Sequence, residues 1–172
     1  MRRTIIINGP ASTGKDEIAK IAKKILDIPV YNISSITPVM EIAKLMGWDG
    51  KKNEQSRELL SNLKDLWVGY NNGPINQLVK TVDEIDDRYN PPDPYLIFIH
   101  IREPEEIEKF KTNYPDTTTV LVKRDCVEKY SNRADAFVSE YNYDYVIENN
   151  ETLVELEESV RTLLKDLNIL KE

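Results

Sequence analysis

Between Gly9 and Lys15 the chain reads Gly-Pro-Ala-Ser-Thr-Gly-Lys, a G-x-x-x-x-G-K spacing. Glycines at both ends of such a loop let successive backbone N–H groups turn inward around an anion. A helix that starts at the second glycine adds its own unpaired donors and a partial positive charge. Lys15 brings a mobile full charge to the outer oxygens of a phosphate chain. The flanking residues supply the context this chemistry needs. Ile5-Ile6-Ile7-Asn8 is a short, mostly β-branched strand pattern, and Asp16 to Leu26 carries Ile18, Ile21, Ala22 and Ile25 on one helical stripe. Strand, glycine-bounded loop and helix together predict a P-loop, with Gly9, Pro10, Ala11, Ser12, Thr13, Gly14, Lys15, Asp16 and Glu17 as the nucleotide-binding segment.

One position departs from the usual motif. The Ser or Thr that normally follows the lysine and ligates Mg²⁺ is Asp16 here. A carboxylate can hold Mg²⁺ directly or through water. Asp16 and Glu17 also suit a first helical turn through the helix dipole alone. Both readings of Asp16 stand on the sequence.

Other cationic residues lie at positions with chemical potential. Arg102 sits where an apolar strand reaches the carboxyl edge of a sheet, and an arginine is costly there unless paired. Its partner is either a phosphate or a neighbouring acid, Glu103 or Glu106. Lys123 and Arg124 follow the fourth strand, and Arg133 comes shortly after, so 124–135 is a candidate lid; plain surface charge is the alternative. Arg57 falls in a helix, as a ligand or as a solvated face residue. His100 is the sole histidine, inside an apolar strand, and reads as a satisfied core residue with no metal cluster around it. The acidic run Asp83 to Asp87 reads as a solvated helix end.

The elements that must position these residues alternate. Strands are predicted at Ile5–Ile7, Pro29–Ile33, Tyr95–Ile101, Thr117–Val122 and Tyr143–Ile147. Helices fill the intervals. One starts with Thr37 as cap and Pro38 at its first position. Others run from Glu54 to about Val68, from Gly73 to about Asp87, from Pro104, and from Glu151 to Leu167. This order predicts an α/β, three-layer P-loop NTPase fold. It has a five-stranded parallel sheet, helices on both faces and a helical insertion between strands 2 and 3, about 34–94. The connectors are too short for a second domain, so 1–172 reads as one.

Composition narrows the class further. The chain has 172 residues, 31% charged and 40% hydrophobic, which excludes a disordered chain. No apolar run approaches the roughly 20 residues of a bilayer span, so no membrane association is expected. A net charge of −7 argues against a nucleic-acid surface while allowing a local basic pocket. Cys126 is the sole cysteine, and Met1-Arg2-Arg3 runs into a strand with no small-residue cleavage site. A cytoplasmic protein, monomer or homodimer, is the expectation.

The Gly-Lys-Asp variant of the loop, followed by a helical insertion, resembles the P-loop nucleoside-monophosphate-kinase group. Within it the chain is similar to bacteriophage-type deoxynucleoside monophosphate kinases and animal phosphomevalonate kinases. Met46-Gly47-Trp48-Asp49, Lys52 and Arg57-Glu58-Leu59-Leu60 resemble their G-W-D … K … R-x-L-L segment. Ile101-Arg102-Glu103-Pro104 resembles the arginine ending their third strand. Ser139-Glu140 with Asp144-Tyr145-Val146-Ile147-Glu148-Asn149 resembles their closing strand. The resemblance implies ATP as donor, Mg²⁺ as cofactor and a nucleotide partner, a (deoxy)nucleoside monophosphate as acceptor. It implies that Lys15, Arg124 and Arg133 act on the transferring group and that Arg57 and Arg102 bind the acceptor phosphate. Three other readings fit the residues: a kinase of a non-nucleotide phosphorylated metabolite, a hydrolytic switch, and a non-catalytic nucleotide- or partner-binding protein. The switch is disfavoured, because neither an N-K-x-D motif nor an aspartate ending the third strand is present.

Overall fold

The β-branched and aromatic runs do form the strands, and their pleat explains why they stack into one sheet. A computed structural model describes residues 2–51, 53–89, 93–125 and 138–170. The strands are β1 (Arg2–Asn8), β2 (Val30–Ser34), β3 (Tyr95–His100), β4 (Thr118–Lys123) and β5 (Tyr145–Glu148). They make a five-stranded parallel sheet ordered β2-β3-β1-β4-β5. β1 is central, with Ile5 opposite Phe98 on one side and Thr118 on the other. Parallel neighbours require crossovers, and the helices supply them.

The chain resolves into two compact units, 1–33 with 90–172, and 34–89. The first holds most of the sheet with α1 (Lys15–Ile25), α5 (Pro104–Asn113) and α6 (Leu153–Asp166). Successive side chains of a strand face opposite ways. Ile5, Ile7, Leu96, Phe98, Val120 and Val122 point to one side, into a cluster with Ile18 and Ala22 of α1 and Leu156, Val160 and Leu164 of α6. Ile6, Ile97 and Ile99 point the other way and are equally buried, so both faces of the sheet are dry. Ile107 and Phe110 of α5 are fully buried as well.

The second unit holds α2 (Thr37–Leu45), α3 (Glu54–Asn71) and α4 (Gly73–Asp86). Here the helix bounds differ from expectation. The cap of α2 is Ile36 rather than Thr37; its backbone is already helical and its N–H reaches the Ser34 hydroxyl at 3.5 Å, so the turn begins one residue early. α3 is capped by Asn53, whose side chain accepts from the Ser56 N–H at 2.8 Å. It continues past Val68 to Asn71. Asn72, at φ 55, then closes α3 and opens α4. A Cβ on Gly73 would collide with the Trp67 ring, so glycine is required for the tight junction. In the first unit, α6 starts at Leu153 instead of Glu151, because Thr152 and Glu155 form a capping box in front of it.

Candidate nucleotide site

Four strand ends of the first unit meet around residues 9–14. Asn8 ends β1, His100 ends β3, Lys123 ends β4 and Glu148 ends β5. This is the carboxyl edge of a parallel sheet, where ligands bind in such folds. The loop is shaped by backbone constraints that only some residues satisfy. Gly9 has φ 144, and a Cβ there would strike the Val122 carbonyl of β4. Gly14 has φ 100, and its Cβ would strike the Asn149 side chain. Ser12 adopts the left-handed conformation at φ 64, which helps close the curl.

Side chains then pin the loop from three directions. Asn8, fully buried, accepts from the Gly9 N–H at 2.8 Å. Its amide donates to the Arg102 carbonyl at 3.0 Å and to the Tyr143 hydroxyl at 2.7 Å. The Tyr143 hydroxyl donates to the Val138 carbonyl at 2.8 Å. Asn149 donates to the Thr13 carbonyl at 2.9 Å, and its N–H joins the Lys123 carbonyl of β4 at 2.8 Å. Thr13 is buried, its hydroxyl on the Pro10 carbonyl at 3.0 Å.

Lys15 folds back over this curl. Its Nζ donates to the carbonyls of Gly9 and Pro10, each at 2.6 Å. The cation therefore stands at the mouth of the loop. α1 begins immediately behind it with no side-chain cap, because Gly14 occupies that position. Uncapped first-turn amides and a cation beside them make an anion-binding geometry.

Asp16 and Glu17 follow in the first turn of α1 and part company. Glu17 turns to Lys20, 3.1 Å away. The Asp16 carboxylate accepts from the Asn32 amide at 3.1 Å, and His100 Nε2 stands 3.5 Å from the same oxygen. His100 is hydrogen-bonded as expected but is not a core residue: it sits at the edge of the site, its Nε2 2.7 Å from Asn32 Oδ1. Burial pushes its imidazole down to about 4, against the pull of Asp16 and with the help of Lys15 and Arg102. It is neutral at physiological pH.

The other expected site residues are spread more widely. Arg102 lies just past β3, half-buried, in the same unit as the loop. Arg124 is exposed just after β4. Arg57 is in the first turn of α3, exposed, in the second unit. Arg133 lies outside the described residues. Asn8, Asn32, Tyr143 and Asn149 were not expected as site residues: Asn8 and Asn149 fell within the strand segments, and Tyr143 read as packing at the start of a strand. Asn8 had a local signal, as the polar residue ending an apolar strand before the first glycine. Among the described residues no three His, Cys, Asp or Glu side chains cluster as a metal site. No described helix is long and apolar enough to cross a membrane.

Comparison with known proteins bears on the fold. No protein-family model and no curated protein matches the sequence. Solved structures do match the backbone. A tunicamycin resistance protein from Deinococcus radiodurans superposes with a TM-score of 0.59 at 10% identity, covering 98% of this chain and 97% of that one. A dephospho-CoA kinase from Campylobacter jejuni gives 0.55 at 11% identity, over 97% and 98% of the two chains. A sugar kinase from Janibacter sp. HTCC2649 gives 0.55 at 13% identity, over 98% and 96%. At such identities the likeness is one of architecture, and it agrees with the α/β P-loop kinase fold.

Proposed function

We propose that the chain is an ATP-dependent phosphotransferase that moves the γ-phosphoryl to a small phosphorylated acceptor of the nucleoside or deoxynucleoside monophosphate class. The observation that carries this is the loop of residues 9–14, curled at the carboxyl edge of the sheet with Lys15 Nζ over its mouth. Two solved neighbours of the same architecture are themselves described as kinases, which agrees with phosphoryl transfer.

Phosphoryl transfer asks for positioning and charge compensation rather than covalent chemistry from the protein. The loop amides and the start of α1 would receive the donor phosphates. Lys15 would exchange its two carbonyl partners for phosphate oxygens, keeping a cation where charge builds up. The residues present suit Mg²⁺ better than a cation needing a full protein cage. One exposed carboxylate, Asp16, is at hand, and Mg²⁺ keeps most of its waters and shares substrate phosphates. Asp16 would hold Mg²⁺, which would offset the charge of the donor phosphates. Arg102, in the loop's own unit, is the proposed acceptor-phosphate ligand. Arg124, with Arg133, keeps the proposed lid role of excluding water from the transfer. Arg57 keeps the acceptor role that the resemblance implies.

A thermal-shift panel tests this directly. It pairs nucleoside monophosphates and phosphorylated metabolites with an unhydrolysable ATP analogue and Mg²⁺, followed by measurement of ADP release. Release that depends on a monophosphate is the expected result. Phosphate release without acceptor would make the chain a hydrolase, and nucleotide binding without turnover would make it a binding protein. Within the expected outcome, Arg102→Ala weakens monophosphate binding by about 1.5–3 kcal/mol, as for a lost charged hydrogen bond, and spares ATP. Arg102→Lys does not restore it fully, because a point charge cannot reproduce the guanidinium fork. Arg57→Ala is titrated separately with both ligands.

A further inference from the structure

Three polar side chains from three elements meet beside Lys15. Asp16 is the second residue of α1, Asn32 lies within β2 and His100 ends β3. Asn32 Nδ2 is 3.1 Å from Asp16 Oδ1, and His100 Nε2 is 2.7 Å from Asn32 Oδ1. The direction of this chain of hydrogen bonds follows from the groups themselves. A carboxylate only accepts, so Asn32 must turn its NH₂ toward Asp16. The amide oxygen then faces His100 and also only accepts, so Nε2 must carry the ring hydrogen. Donation therefore runs one way, from His100 to Asn32 to Asp16.

The two ends of this line differ in burial. The His100 side chain is 15% exposed and that of Asp16 is 78% exposed. An exposed carboxylate on a first helical turn otherwise samples several rotamers, and fixing it costs entropy. Here Oδ1 is tied to the Asn32 amide, which fixes the orientation in which the carboxylate meets a cation. Resting on the nucleotide reading above, we infer that Asn32 and His100 are positioning residues. They hold the Asp16 carboxylate in the orientation that receives the divalent cation carried by the nucleotide. This gives the aspartate in the Ser/Thr position of the loop a supporting shell of its own. Supporting partners of this kind set metal affinity by about ten- to a hundred-fold.

The test titrates an unhydrolysable ATP analogue, with and without Mn²⁺, into the wild type, Asp16→Asn, Asn32→Ala, His100→Ala and His100→Gln. The expected result is that Asn32→Ala lowers the Mn²⁺-dependent gain in affinity about ten-fold or more and leaves the metal-free affinity unchanged. His100→Ala acts in the same direction, and His100→Gln, which retains an N–H at similar reach, recovers most of the gain. In metal-free wild type, long-range ¹H–¹⁵N spectra show His100 as the Nε2–H tautomer. An Asn32→Ala variant that keeps the full Mn²⁺ gain overturns the inference. So does one that loses both affinities equally, since a structural tie between the strands would do that, and so does an Nδ1–H tautomer. If the wild type binds no analogue at all, the nucleotide reading fails and takes the inference with it. If the wild type binds and only Asp16→Asn loses the Mn²⁺ gain, the nucleotide reading stands and this inference alone falls.

Discussion

Lys15 is the residue on which the proposed chemistry turns. Its Nζ donates to two backbone carbonyls of the loop, and its side chain is half-buried at the loop–helix junction. Lys15→Ala is therefore expected to leave the melting temperature nearly unchanged. It should cost on the order of 3–4 kcal/mol in the transfer barrier, or about 10²–10³ in rate, as for the loss of one preorganised donor. Single-turnover kinetics beside a thermal melt give both numbers. His100 makes a different prediction, on pH. Its ordinary value of 6.5 falls to about 4 in the fold, chiefly through burial. The unfolded chain thus takes up a proton at His100 near pH 6.5 while the folded chain does not. The stability tied to the neutral ring is complete above that pH and declines as pH falls toward 4. In metal-free protein the His100 ring resonances should stay unshifted from pH 7 to about 5. His100→Gln should flatten part of the loss of melting temperature over the same interval.

At the scale of elements, the junction of β1, loop and α1 is built by chain neighbours, while its rigidity comes from the ends of other strands. Only glycine fits at position 9, where the Val122 carbonyl leaves no room for a side chain, and at position 14, where the Asn149 side chain stands against it. The last helix, α6, braces the same cluster as α1 through Leu156, Val160 and Leu164. Its start depends on Thr152, whose hydroxyl accepts from the Glu155 N–H while the Glu155 carboxylate returns to the Thr152 N–H at 2.9 Å. Thr152→Ala removes one half of that box. The expected loss is about 1 kcal/mol of stability, seen as a lower urea midpoint with an unchanged slope and with nucleotide affinity intact.

For the whole molecule, a net charge of −7 and a sequence pI near 4.9 set the long-range field. Such a chain repels polyanions, so an anionic ligand has to be captured by short-range donors within one site. The expected outcome is no change in anisotropy when labelled duplex DNA is added at physiological salt. A free nucleotide, under the same conditions, competes off a fluorescent ATP analogue. DNA binding with a steep salt dependence would instead reveal a basic surface that composition conceals.

The sequence alone determined the fold class, because its signals are local. An apolar strand, a glycine-bounded loop and an amphipathic helix are contiguous, and their patterns follow from backbone geometry within a few residues. It also determined the helical insertion between β2 and β3 and the glycine-bounded turn between β1 and α1. Helix starts were legible only to within a residue or two, since capping depends on which side chain wins a backbone donor. Ile36 precedes α2 where Thr37 was expected as cap, and α6 starts at Leu153 behind the Thr152 cap where Glu151 was expected to start it. What only the tertiary structure decided is the shell around the loop. Asn8 meets Tyr143 across 135 positions, Asn149 meets Thr13 across 136, and His100 meets Asn32 across 68. No periodicity links such residues. They become neighbours because β2 lies beside β3, β1 lies between β3 and β4, and β5 lies beside β4, which brings residues distant in sequence to one edge of the sheet.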